Sequence, residues 1–133
     1  FQKRMQQIND HHVIYEVFVE QPAMMFKGGK TTAFTMATLQ RFNGMTCYIA
    51  YKVFEMEAEL VNPLSARSIL GIKVPRGIPP KDKKRFIIER MAERFEDSFK
   101  YEMTRHQNPQ PGTDDRADAL VVALAGPLLL NKK

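Results

Sequence analysis

The chain has 133 residues, 44% of them hydrophobic and nine of them Phe, which excludes a disordered segment and suits one domain with a proper core but not two. Twenty basic against fifteen acidic residues leave a net charge of +5, compatible with a polyanionic partner without singling one out. A lone cysteine, Cys47, excludes an internal disulfide and fits a reducing, intracellular compartment; no apolar run reaches the roughly 18–20 residues that span a bilayer, and there is no signal-peptide pattern.

Residues 1–10 have the pattern of the last turns of a helix with no capping residue before them, as if the chain began inside a larger fold. Residues 13–22 follow as the clearest strand, rich in β-branched and aromatic side chains and stopped by Pro22. The nearly continuous apolar run predicts a central strand buried on both faces. Glu20 stands at its carboxyl end, where open α/β sheets place their ligands, which makes it a candidate functional carboxylate rather than surface decoration.

Residues 26–32, Phe-Lys-Gly-Gly-Lys-Thr-Thr, invite a phosphate-loop reading. That motif needs a glycine five positions before Gly29, where Met24 stands, so the cradle is damaged and a basic loop touching a phosphate backbone through Lys27 and Lys30 is favoured. From Thr32 to about Val53 the spacing is helical, with Phe34, Leu39, Phe42, Met45, Tyr48 and Ile49 forming a stripe expected in a core or a subunit interface. Residues 57–61 predict a second strand, and residues 65–71 a short helix closed by Gly71. Arg67 on that helix either grips phosphate or is solvated. The proline-stiffened stretch 73–85 carries six basic residues against one acid and enters a helix over 82–101 with an apolar face of Phe86, Ile87, Met91, Phe95 and Phe99.

The last helix opens Thr113-Asp114-Asp115-Arg116-Ala117-Asp118 and continues apolar nearly all round, through Ala119, Leu120, Val122, Ala123 and Leu124, which predicts that most of it is packed. Thr113 or Asp114 is expected to cap it. Acids favour the positive end of a helix, which accounts for Asp114 and Asp115. Asp118 lies deeper, on the same face, where like charges repel unless a cation sits between them. Hard carboxylate oxygens on a rigid element suit Mg²⁺ or Mn²⁺. Strands alternating with helices point to an α/β fold with parallel pairing, but two strands are too few for a stable sheet alone.

Taken together, Val17-Phe18-Val19-Glu20-Gln21, the run Asn62-Pro63-Leu64-Ser65-Ala66-Arg67 with Gly71-Ile72-Lys73, and Asp115-Arg116-Ala117-Asp118-Ala119-Leu120 resemble the RuvC-like Holliday-junction resolvases. The stretch 27–44 is similar to phage-borne members. The resemblance implies a ribonuclease H-like mixed sheet flanked by helices, as a single domain over 1–133. It also implies a metal-dependent endonuclease that cuts four-way DNA junctions as a two-fold homodimer in a bacterial or phage-infected cytoplasm. Carried over residue by residue, Glu20, Asp115 and Asp118 are the catalytic metal ligands. Asp114 is an auxiliary ligand or the helix cap, and two Mg²⁺ or Mn²⁺ ions complete the site. Lys27, Lys30, Thr31, Arg67, Lys81, Lys83, Lys84 and Arg85 are the DNA contacts. The family's opening strand and its first Asp have no counterpart, so the fold is expected to be incomplete at the amino end. That departure keeps a non-catalytic DNA-binding relative open beside the nuclease, with a nucleotide-binding phosphate loop as the remote third reading.

Overall fold

The computed structural model describes residues 1–22 and 32–132. They divide into two compact units, Phe1–Asn62 and Pro63–Lys133.

In the first unit, helix α1 (Gln2–His11) precedes strand β1 (Val17–Glu20), helix α2 (Ala33–Phe54) and strand β2 (Ala58–Val61). The strands pair in parallel with Val17 opposite Ala58 and Glu20 opposite Val61, as a β–helix–β crossover of this kind dictates. Gln21 N–H extends the ladder by donating to Val61 O at 2.8 Å. The strand is shorter than the ten-residue run predicted. Val17, Phe18 and Val19 are half-buried and Glu20 is exposed, so the expected burial on both faces is not met. The reason is the sheet itself: among the described residues β1 has only β2 as a neighbour, and a two-stranded layer leaves much of each strand uncovered.

Helix α2 follows its predicted bounds closely. Thr32 is the cap, its Oγ1 accepting from Thr35 N–H at 3.1 Å, and Glu55 ends the helix in the left-handed region at φ 55°. The side of the helix that is buried is its carboxyl-terminal part, at Ala50 and Val53. The apolar stripe is not core: Phe34 is 81% exposed, Phe42 66% and Tyr48 64%.

In the second unit, helix α3 (Pro63–Ile69), helix α4 (Pro80–Phe95), a single 3₁₀ turn (Glu96–Ser98) and helix α5 (Thr113–Leu130) pack together, with α5 touching both α3 and α4. Helix α3 closes as predicted at Gly71, whose φ of 70° lies where side chains are strained; Ile72 N–H returns to Arg67 O at 2.9 Å. Helix α4 starts with Pro80 in its first turn, where the missing N–H costs nothing. It stops at Phe95 and not at Tyr101, because Glu96 turns to φ 44° and breaks the ladder. Phe99 is buried all the same, held under the Arg116 guanidinium at 5.0 Å from the ring centre.

The core of this unit is Ile87, Ile88 and Met91 of α4 against Ala117, Val121, Val122 and Ala125 of α5, with Ala66 of α3. Ala117, Val121 and Ala125 recur at four-residue steps, which aligns them on one face, with Val122 beside it. Most of the helix is packed, as expected, with Ala119 and Ala123 exposed and Leu120 and Leu124 half-buried. Nor does Gly126-Pro127 stop the helix, which runs on to Leu130. No helix is long and apolar enough to cross a membrane among the described residues.

Candidate functional site

The start of α5 is set by Gly112, which precedes the first helical residue at φ 84°. Neither Thr113 nor Asp114 caps the helix. Thr113 is buried and its hydroxyl donates instead to Gln110 O at 2.7 Å, which ties the helix to the loop before it. Both caps predicted from sequence are therefore replaced by a glycine turn, which frees the carboxylates that follow for side-chain partners.

Two of those carboxylates have taken a cation each. Asp118 Oδ1 accepts from Arg67 Nη2 of α3 at 3.2 Å, with the side chains 34% and 29% exposed. Arg67 Nε is buried and has no hydrogen-bond partner among the described residues, so the guanidinium depends on Asp118 for its balancing charge. Asp114 Oδ2 accepts from Lys84 Nζ of α4. The Lys84 hydrogen bond draws the Asp114 carboxyl below its ordinary value. The same bond and the field of Asp114, with lesser help from Asp115 and Asp118, raise Lys84 against the opposing effect of burial. Asp115 is exposed. The repulsion expected among like charges on one helix face is thus relieved by side chains from two neighbouring helices.

Lys81, Lys83, Lys84 and Arg85 share the exposed first turns of α4. Arg85 also pairs with Glu89 at 3.1 Å within the helix. The second unit therefore gathers Arg67, Asp114, Asp118 and Lys84, and the sequence had assigned these to separate jobs. Glu20 belongs to the first unit, where its carbonyl accepts from Asn43 Nδ2 of α2 at 2.8 Å. Lys27, Lys30 and Thr31, and with them the phosphate-loop reading, lie outside the described residues.

For a divalent ion the chemistry of the donors is right, since carboxylates are the hard ligands Mg²⁺ favours. The supply is incomplete: among the described residues no three His, Cys, Asp or Glu side chains are grouped to hold a metal. Asp115 and Asp118 alone do not complete a ligand set, and an ion at Asp118 Oδ1 would have to displace Arg67 from that oxygen. The sequence singled out Arg67 for phosphate or solvent and missed its pairing with Asp118, which lies 51 residues away with no local feature to mark the contact. Compared with protein-family models, curated proteins and solved structures, the chain matches none.

Proposed function

We propose that the chain is a ribonuclease H-like, metal-dependent endonuclease for four-way DNA junctions, acting as a homodimer. The observation that carries this reading is the Arg67–Asp118 contact: an acid deep in the first turns of α5 is held by a cation brought from α3. An acid needed only for helix polarity belongs at the very start of the helix, where the dipole is felt, and gains nothing there from a dedicated partner. A carboxylate that must be fixed in one orientation does.

In this mechanism the chain's own residues bind and orient. The cations at 81–85 attract the phosphate backbone without reading sequence. Lys84 favours the ionised form of Asp114, and Arg67 holds Asp118 in one orientation until an ion replaces it at Oδ1. Asp115 and Asp118 would hold the divalent ion, which when bound supplies Lewis-acid polarisation of the scissile phosphodiester. The exposed apolar stripe of α2 is the surface assigned to a second copy of the chain, because symmetric cutting of a junction needs two sites.

The test is incubation of a synthetic four-way junction with Mg²⁺ and the wild type, Asp118→Asn or Glu20→Gln. Cleavage by the wild type alone supports the nuclease. Binding without cutting selects a DNA-binding relative. No binding removes both.

A further inference from the structure

The second unit holds a cleft of about 530 Å³ between the first half of α4 and the loop that leads into α5. Its size lies within the range of about 300–1,000 Å³ typical of small-ligand sites. One wall is cationic, with Lys81, Lys84 and Arg85 facing it. Asp114 neutralises Lys84 and Asp82 adds a second acid to the lining, so the wall is only weakly positive overall. Glu89 takes only the Nε of Arg85, whereas the guanidinium fork carries five donors.

The opposite wall is of another kind. Pro109 and Pro111 present apolar rings, Ile88 adds to the lining, and the amides of Asn108 and Gln110 carry donors and acceptors together. That wall is held in shape by backbone bonds. Met103 and Pro109 form an antiparallel bridge, Thr104 N–H donates to Asn108 O at 2.6 Å, and Gln110 N–H donates to Glu102 O at 3.0 Å. Gln107 turns the loop at φ 57°. The side chains of Asn108 and Gln110 are therefore not what holds the loop.

Cations opposite an apolar slot edged with amides match a phosphate joined to a flat heterocycle. We infer that this cleft takes one nucleotide unit of a DNA strand. Its phosphate lies at Lys81 and Arg85, its base lies against Pro109 and Pro111, and the base edge is read by Asn108 and Gln110. The inference deepens the DNA reading above by giving the surface a means of preferring one sequence. Amide side chains are suited to this because their paired donor and acceptor match the edge of a base.

The pocket is tested on the full chain by nuclear magnetic resonance, titrating each of the four deoxynucleoside 5′-monophosphates and, separately, inorganic phosphate. Expected are amide shifts confined to residues 81–88 and 104–114, unequal among the four bases, with the inequality abolished in Asn108→Ala/Gln110→Ala. Equal shifts for all four nucleotides and for phosphate would reduce the cleft to an anion site and overturn the inference, as would shifts elsewhere or none. A second measurement uses junctions with randomised arms. The wild type should enrich particular bases about tenfold, as one well-made base contact does, and the double variant should lose the enrichment with an unchanged salt slope. Junction binding with no enrichment overturns the inference and leaves the DNA reading intact. Base-selective nucleotide shifts without junction binding support the pocket and defeat the DNA reading.

Discussion

Replacing Arg67 by Met should weaken the fold and, if Asp118 serves a metal, tighten the metal. At 3.2 Å and an effective dielectric of about 20, the raw attraction between the two charges is about 5 kcal/mol. Each side chain keeps roughly a third of its exposure, so desolvation and lost rotamer freedom offset most of that, leaving a net coupling of about 1–2 kcal/mol. A double-mutant cycle with Arg67→Met and Asp118→Asn, read by urea denaturation, measures that coupling directly. The same free energy opposes any ion that must displace Arg67. Removing Arg67 should then tighten Mg²⁺ binding by about 5- to 30-fold, read by titration calorimetry on the intact chain. A coupling near zero would show that the contact does not hold Asp118 in place. A coupling in the stated range with Mg²⁺ affinity unchanged would make Asp118 a structural acid and remove it from the ligand set.

Asp114→Asn tests the second ion pair through its pH dependence. The Lys84 hydrogen bond puts Asp114 below 3.8 in the folded chain. Its stabilising effect is therefore present above that value and lost as pH falls through the folded pKa. Lys84, raised above 10.5, keeps its share below that value and loses it as pH rises through its own folded pKa. Urea midpoints should accordingly differ between wild type and variant by no more than about 1 kcal/mol near neutrality, since Lys84 is largely exposed, and converge in acid. In the core, Met91 is 1% exposed, and Met91→Ala should cost about 2–5 kcal/mol, seen as a lower midpoint for loss of helical circular dichroism.

Where a signal was local, the sequence carried it. The three- and four-residue spacing from Thr32 to Val53 marked α2 almost to the residue, and Gly71 marked the end of α3, because a left-handed turn is written in a single residue. Residues 13–16 look equally strand-like, yet pairing begins at Val17; β-propensity describes a surface that needs a neighbour and does not supply one. Helix α4 had the periodicity to continue past Phe95, and Glu96 ended it by a backbone turn that its residue type does not announce. The stripe on α2 has the spacing of a core and the exposure of a surface, because periodicity reports which side chains share a face and says nothing of what lies opposite. At the candidate site the acids were legible as a group on one helix. Their partners Arg67 and Lys84 were not, since each contact exists only once two helices distant in sequence have packed.

Ala66 and Ala117, both with no exposed surface, sit one place before the two members of the Arg67–Asp118 pair. Their methyl groups act as a gauge for the gap between α3 and α5, and helices lined by larger side chains stand farther apart. A bulkier residue at either alanine would wedge the helices open and stretch an electrostatic contact it never touches. Tolerance to mutation around the acids should therefore be narrowest at two of the least reactive side chains in the protein.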